Sequence, residues 1–192
     1  MPDTGARMPP RIDTERLVLT WPSDAQLTGY HQAIIGTDIF DTLLWDGPEH
    51  DRSLHEYWAL RRACDPDDLS EPFSLSILER SSDACIGGIS LRPVNGDARI
   101  LDIGYAMAPA WHGRGLGTEA ITAMVDEGFR ARGAERVFAT IFVGNVASRR
   151  AAEKAGLRFE GTLRHAVLKR GVWRDEWLLA ITRPDWAAAQ SS

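Results

Sequence analysis

The segment Pro109–Ala120 reads P-A-W-H-G-R-G-L-G-T-E-A and holds the residues with the clearest chemical potential. Gly113, Gly115 and Gly117 alternate with other residues between a predicted strand and a predicted helix. Glycine lets the chain turn sharply and lets a ligand approach the backbone. The first N–H groups of a helix lack partners within it, and with the helix dipole they attract anions. The segment therefore predicts a phosphate-binding loop, with a glycine-rich tight turn as the alternative.

The spacing of these glycines excludes two common phosphate sites. No Gly-Lys-Ser/Thr follows, so the segment is not a P-loop. Thr118 stands where the dinucleotide fingerprint needs its third glycine, and the segment lies past the middle of the chain, whereas that fingerprint usually opens a βαβ unit.

The elements around the loop follow from hydrophobic periodicity and turn chemistry. Ser23 with Gln26 forms a capping-box signature for a helix that reaches about Ile35. The segment Gly36–Asp51 is expected to be a mobile or partly helical loop. The other predicted elements are, in chain order, a strand over Glu15–Trp21, a helix over Arg52–Asp65 with Leu54, Tyr57, Trp58 and Leu60 facing inward, strands over Phe73–Glu79, Cys85–Leu91 and Ile100–Met107, a helix over Leu116–Arg132, a strand over Arg136–Val143, a helix over Asn145–Ala155, and strands over Leu157–Lys169 and Val172–Thr182.

This β-α-α-β-β-β-α-β-α-β-β order predicts an α+β fold around one mixed, mostly antiparallel sheet flanked by helices. With 192 residues, the chain is expected to form a single domain over 14–183. A flexible N-terminal arm over 1–13 and a frayed tail over 184–192 would flank it.

Composition narrows the function classes. The formal net charge is −5 and no Lys/Arg block occurs, which argues against a nucleic-acid partner. No apolar run reaches transmembrane length and the N-terminus has no apolar signal region, so we expect no membrane partner and a cytoplasmic location. Cys64 and Cys85 have no metal-type spacing, and we expect no metal.

The loop and its flanks resemble one enzyme family. His112-Gly113-Arg114-Gly115-Leu116-Gly117 is similar to the acyl-CoA pyrophosphate motif Gln/Arg-x-x-Gly-x-Gly/Ala of the GCN5-related N-acetyltransferases (GNAT superfamily), with His112 in the place of Gln or Arg. Gly104-Tyr105 before the loop and Thr118-Glu119-Ala120 after it resemble the RimJ/RimL-like branch.

Three further matches lie elsewhere in the chain and in the order of that branch. Thr14-Glu15-Arg16-Leu17-Val18-Leu19 resembles its opening. The stretch from Asn145 to Gly161 resembles its Asn-x-x-Ser and Glu-Lys-x-Gly-Phe motifs, with Leu157 in the place of Phe. Gly171-x-Trp173-x-Asp175 resembles its last hairpin. The resemblance spans about 14–182 and implies the GNAT fold.

The resemblance also implies a co-substrate and its contacts. Acetyl-CoA, or another acyl-CoA, would bind without a metal. The expected cofactor-binding residues are Tyr105, Ala106 and Met107 through the backbone of the strand, His112, Gly113, Arg114, Gly115, Leu116, Gly117 and Thr118 at the loop, and Asn145 and Ser148 on the following helix.

Two residues are expected to be catalytic. Many relatives carry a Tyr near the departing thiol where this chain has Ala152, and the RimJ/RimL-like resemblance puts Ser148 near the thiol instead. Asp102 matches an acidic residue before Gly-Tyr and is the candidate general base, with an ion pair to a neighbour such as Arg99 as the alternative. A carboxylate beside a dry cleft can have a raised pKa, which suits a base.

The acceptor is expected to be an amine that attacks the thioester directly in a ternary complex. Its pocket is predicted from Phe40, Trp45, His165, Trp173 and Asp175, where His165 and Asp175 are also reserve bases. A protein N-terminus, a polyamine or antibiotic amine, and an amino-acid-like amine remain open as acceptors. So do a homodimer and a non-catalytic CoA-binding regulatory module.

Overall fold

A computed structural model of the chain describes residues 8–47, 53–95 and 97–190. In these residues, eight strands form one sheet in the order β1-β2-β3-β4-β5-β6-β8-β7. The strands are β1 Arg11–Asp13, β2 Leu17–Thr20, β3 Phe73–Glu79, β4 Ala84–Val94, β5 Asp97–Met107, β6 Arg136–Phe142, β7 Arg158–Lys169 and β8 Val172–Thr182. The helices are α1 Asp24–Ile34, α2 Ser53–Ala63, α3 Leu116–Arg130, α4 Val146–Lys154 and α5 Arg183–Ala189, with 3₁₀ turns at Asp38–Thr42 and Pro109–Trp111.

The sheet is antiparallel except where β5 meets β6. These two strands pair in parallel over three residue pairs, of which Asp102↔Phe138 is the last. Beyond it β5 continues to Met107 and stays paired with β4, while β6 continues to Phe142 and stays paired with β8. The two strands therefore diverge, and their facing edges carry backbone groups that no ladder between them satisfies.

The helices cover the two faces of the sheet. One stripe of α3, which includes Ile121, Met124 and Phe129, is almost completely buried against the main core. Burying a side chain such as Phe129 contributes about 3 kcal/mol. On the opposite face, Tyr30 and Ile34 of α1 pack in a second, smaller cluster. Ser23 and Gln26 form the predicted capping box at the start of α1.

The ends of the domain differ from the sequence prediction. Arg11–Asp13, expected within a flexible arm, pairs with β2, because the turn at residues 14–16 returns the chain to the sheet edge. The expected frayed tail forms α5, where the Trp186 ring stacks on Phe129 and its indole N–H donates to Asp126. Residues 1–7, part of the predicted arm, lie outside the described residues.

The predicted inward face of α2 is partly wrong. Leu54 and Trp58 are buried, but Tyr57 is 44% exposed and Leu60 is 65% exposed. Only one narrow stripe of α2 is buried, so the apolar residues in the sequence predicted a wider buried face than the helix has. Arg52, the predicted first residue of this helix, lies outside the described residues.

Glu119 in the first turn of α3 joins the helix to the segment 14–16 at the edge of the sheet. Its carboxylate accepts hydrogen bonds from the Thr14 hydroxyl at 2.6 Å, the Arg16 amide at 2.8 Å and the Arg16 Nε at 2.7 Å. The Arg16 guanidinium also donates to the Arg114 carbonyl at 2.9 Å. Burial alone would raise the pKa of Glu119, but the hydrogen bonds from Thr14 and Arg16 outweigh it and lower that pKa. The glycine loop is thereby tied to the strand edge.

We predict that Glu119→Gln lowers the free energy of unfolding by ~1.5 kcal/mol near neutral pH, because charge-assisted hydrogen bonds are replaced by neutral ones. Because its pKa is lowered in the folded protein, the ionised Glu119 carboxylate stabilises the fold at pH values above the ordinary carboxyl range. This contribution is lost as the pH falls through the lowered pKa. Urea unfolding of the two proteins should therefore differ less at roughly pH 3. Glu15→Gln, at an exposed position, is the control. A difference in the free energy of unfolding that stays constant with pH would contradict the charge argument.

Candidate functional site

A cleft of about 1300 Å³ opens where β5 and β6 diverge. Its floor on β3, β4 and β5 is made of small residues on one face of the sheet, including Ser74, Gly88, Ser90, Gly104 and Ala106. Side chains alternate between the faces of a strand, so these residues share the face opposite the main core. The cleft exists because the side chains on this face are too small to fill it.

The glycine loop forms one end of the cleft. Gly113 and Gly115 have φ of +75° and +78°, the left-handed region that favours glycine. Gly115 is the N-cap of α3, and the first amide bonded within the helix is that of Glu119, which donates to the Gly115 carbonyl at 3.1 Å. The amides of Leu116, Gly117 and Thr118 therefore have no helical partner, and all three residues line the cleft.

Two side chains of the loop bind the backbone of their own surroundings. The His112 Nε2 lies 2.7 Å from the Met107 carbonyl oxygen, which can only accept, so this nitrogen carries the hydrogen. The Arg114 guanidinium donates to the Ala110 carbonyl at 3.0 Å. His112 thus ties the end of β5 to the loop, and Arg114, expected to contact phosphate, here stiffens the turn.

Tyr105, Ser148 and Asn145 meet at the wall of the cleft. The Tyr105 hydroxyl lies 2.9 Å from the Ser148 Oγ. Burial raises the pKa of Tyr105 to about 12, against the hydrogen bond with Ser148, so the phenol is neutral at physiological pH. Asn145 caps α4 by accepting from the Ser148 amide at 3.1 Å. The partnership of Tyr105 with Ser148 was not predicted, because it joins residues 43 positions apart.

Asp102 lines the cleft, but it is paired. The Arg92 guanidinium donates to one Asp102 oxygen at 2.6 Å, and the Asp102 side chain is 25% exposed. Arg92 is its cross-strand partner on β4, whereas Arg99, the neighbour named in the sequence, pairs with Asp97. The second oxygen of Asp102 is left for other contacts.

Glu176 is a cleft residue that sequence reasoning missed. It is half-buried on β8 and lines the cleft opposite Phe142 of β6. Burial raises the pKa of Glu176, the Thr140 hydroxyl lowers it by a hydrogen bond, and the charge of Asp102 raises it further. Two cations of α4, Arg150 and Lys154, also line the cleft and were missed. Their spacing of four residues along a helix signals a common face.

The loop after α1 forms a wall of the cleft and is fastened to the tip of the last hairpin. Lys169, only 4% exposed, donates to the carbonyls of Leu44 and Trp45 and pairs with Asp46 at 2.5 Å. Arg170 pairs with Asp46 at 2.7 Å, and with Asp41 as well. Hydrogen bonds from Lys169 and Arg170 lower the pKa of Asp46.

The predicted acceptor residues separate into two groups. Trp45 lines the cleft. The Phe40 ring packs edge-to-face against the Trp45 ring, with the ring centroids 5.4 Å apart. His165, Trp173 and Asp175 do not line it. The His165 ring stacks on Trp173, and the Asp175 carboxylate accepts from the His165 amide at 2.9 Å. Strand parity puts Asp175 on the face opposite Glu176.

Other reactive groups are excluded from the chemistry. Burial raises the pKa of the Cys85 thiol to about 11, which makes it a poor nucleophile at neutral pH. Among residues 8–47, 53–95 and 97–190, no group of three or more His, Cys, Asp or Glu side chains could hold a metal ion. In the same described part of the chain, every helix is too short or too polar to cross a bilayer.

The chain belongs to the GNAT acetyltransferase family, since the family model "Acetyltransferase (GNAT) domain" matches residues 16–158. It is 37% identical over 116 residues to a probable N-acetyltransferase, YjcK, of Bacillus subtilis, a match that covers 60% of this chain and 64% of that protein. It is 33% identical over 93 residues to the ribosomal protein uS5-alanine N-acetyltransferase of Escherichia coli, covering 48% of each. An acetyltransferase structure from Bacillus anthracis superposes with a TM-score of 0.78 at 21% identity, over 90% of this chain and 98% of that one. The predicted family and fold are confirmed.

We predict that Lys169→Met releases the loop over residues 37–47, because a buried ammonium then no longer binds two carbonyls and Asp46. Amide hydrogen exchange in the loop should be roughly tenfold faster, as for a segment that opens locally. Arg164→Met, an exposed cation of the same hairpin, is the control. Unchanged exchange in Lys169→Met would show that the apolar contacts of the loop suffice.

Proposed function

We propose that the protein is an acyl-CoA-dependent N-acyltransferase that moves an acetyl group from acetyl-CoA to a primary amine. The observation that carries this proposal is the divergence of β5 and β6 directly above the N-terminus of α3. It combines an unpaired strand edge, which suits an amide-rich chain such as pantetheine, with helix amides that suit a pyrophosphate.

The charges of the cleft support the same assignment. The amides of Leu116–Thr118, which have no helical partner, and the cations Arg150 and Lys154 line the cleft and would attract an anionic co-substrate. Asp102 and Glu176 stand on the part of the floor where a cationic amine would approach. Each reactant would therefore meet its opposite charge, which raises association rates and selects orientation.

We propose these roles for the residues of the chain. The amides after Gly113 and Gly115 hold the pyrophosphate, with Arg114 fixing the turn. Tyr105 and Ala106 of β5 pair with the pantetheine through their backbone, and Asn145 contributes its side-chain amide from the opposite wall. Holding both reactants in one orientation can supply ~7–11 kcal/mol of the barrier in well-oriented systems.

The acceptor is proposed to be a protein N-terminal amine. The relative that modifies an alanine of a ribosomal protein supports this class, and Trp45 lines the cleft of about 1300 Å³ into which the amine would enter. Free α-amines have pKa values near ~8, so a sizeable fraction is neutral at physiological pH. A small-molecule amine is the competing acceptor. A cytoplasmic location and a homodimer through the last hairpin also stay predictions.

The deciding experiment is a free-thiol assay over several acyl-CoAs against a panel of N-terminal peptides, polyamines and amino-acid amides. We expect thiol release with acetyl-CoA and at least one peptide amine. CoA should also raise the Tm, since a ligand at 100-fold its Kd stabilises the native state by ~2.7 kcal/mol. A CoA shift without thiol release for any amine would indicate a binding module, and no shift at millimolar CoA would refute the site.

We predict that Gly117→Glu abolishes the CoA-induced Tm shift while leaving the fold intact. A Cβ atom added at this position meets no atom within 4 Å, and an acidic residue in the first turn of α3 favours the helix. The added charge would stand where the pyrophosphate binds and repel it. Gly117→Ala, which adds no charge, should keep the shift. Equal shifts in both variants would place the pyrophosphate elsewhere.

We predict that Ser148→Ala lowers kcat by roughly 10- to 100-fold with little change in the KM for acetyl-CoA, because the departing thiolate loses its hydrogen-bond donor. Tyr105→Phe should have a smaller effect, since Tyr105 acts by orienting the Ser148 hydroxyl. Steady-state kinetics on both variants test this. Wild-type kcat in Ser148→Ala would remove the serine from the mechanism.

A further inference from the structure

Glu176 is a carboxylate that the family motifs do not assign and that the fold places beside the proposed reaction centre. The strands β5 and β6 diverge after Asp102↔Phe138, so Thr140 and Phe142 form the β6 wall of the gap. Glu176 pairs across strands with Phe142, at the same end of the gap as Asn145. A group that takes a proton from an amine attacking there must lie at this end of the cleft.

The surroundings of Glu176 combine partial burial with a neighbouring hydroxyl group. Its carboxyl is half-buried, and the hydroxyl of Thr140 on the neighbouring strand acts to lower its pKa. On the other side, the β7 residue in register with it is Leu163, and Val167 lies further along the same strand. Glu176 therefore lines the cleft near the Thr140 hydroxyl, with Leu163 as its apolar cross-strand neighbour on β7.

The charged groups that share the cleft separate Glu176 from Asp102. They are Asp38, Arg92, Asp102, His112, Arg150 and Lys154, and the negative charge of Asp102 raises the pKa of Glu176. Asp102 is held by Arg92 through a charge-assisted hydrogen bond, which occupies one of its oxygens. Among the described residues, no ion pair of this kind is formed by Glu176. It is thus the carboxyl of the pair that is better suited to take up a proton and release it.

We propose that Glu176 is the general base that deprotonates the acceptor amine, with Thr140 as the residue that orients its carboxylate and Asp102 as the fixed negative charge that draws the ammonium into the cleft. This rests on the proposed N-acyl transfer. It revises the expectation that Asp102 itself is the base, because the ion pair with Arg92 was not visible in the sequence.

The proton balance of this role is simple. Glu176 takes one proton from the ammonium group, and the neutral amine nitrogen forms a bond to the thioester carbonyl carbon. The C–S bond breaks, and the thiolate sulfur takes up a proton by way of the Ser148 hydroxyl. As the amide forms, the nitrogen loses its second proton, which replaces the proton that the Ser148 hydroxyl gave to the sulfur, and Glu176 returns its own proton to water. One proton is released per amide formed from an ammonium.

The test compares pH profiles of kcat/KM for an alanine-initiated peptide with acetyl-CoA. In Glu176→Gln we expect a loss of about 100-fold or more and no acidic limb. Asp102→Asn should move the acidic limb to lower pH, because a neighbouring negative charge is removed. Thr140→Val should move it to higher pH, because a hydrogen bond to the carboxylate is removed. Glu176→Asp should restore part of the rate, and Glu135→Gln, an exposed acid at the start of β6, is the control.

The outcomes separate this inference from the function on which it rests. A near-wild-type rate in Glu176→Gln with an unchanged acidic limb would overturn it, and loss of that limb in Asp102→Asn alone would assign the base to Asp102. A retained CoA-induced Tm shift in Glu176→Gln shows that the fold and co-substrate site are intact. If the wild type transfers to no amine, the proposed function has failed. The inference can then still be tested by following the titration of the Glu176 carboxyl with carbon NMR. The midpoint pH of this titration should fall in Asp102→Asn and rise in Thr140→Val. Identical midpoints in the three proteins would reject the inference.

Discussion

The divergence of β5 and β6 is the constraint on which the rest of the site depends. Parallel strands that share only three residue pairs leave the following backbone groups without a ladder, and such groups are costly unless water or a ligand satisfies them. The sheet tolerates the gap because each strand keeps its antiparallel partner on the outer side, β4 for β5 and β8 for β6. A binding edge thus exists inside the sheet, with a rigid strand supporting each wall.

Three sets of contacts hold the walls of this gap in place. The ladder of β5 cannot continue into the glycine loop, so His112 fastens the loop to the end of the strand through the Met107 carbonyl. Glu119 and Arg16 then anchor the start of α3 to the edge of the sheet. The other side is held by the attachment of Asp46 to Lys169 and Arg170. These contacts join distant segments, and they position the helix amides and the acidic floor relative to one another.

The distribution of charge in the cleft also has a structural origin. Small residues on one face of β3, β4 and β5 leave room for water and ligand, which allows Arg92, Asp102 and Glu176 to stand on the floor. An ion pair holds Arg92 and Asp102 together, whereas burial and the Thr140 hydroxyl act on the pKa of Glu176. Two carboxyls of one cleft thereby have different surroundings, an arrangement often found at sites of proton transfer.

The class of fold, the family and the glycine loop could be predicted from the sequence, because they depend on local patterns such as glycines that favour positive φ and the capping box of Ser23 and Gln26. The sequence could not assign the face of Glu176, since apolar residues flank it on both faces of β8 and period-two alternation is then ambiguous. Nor could it pair Arg92 with Asp102 or Tyr105 with Ser148. Those contacts depend on strand register and on helix packing, which only the tertiary structure decides.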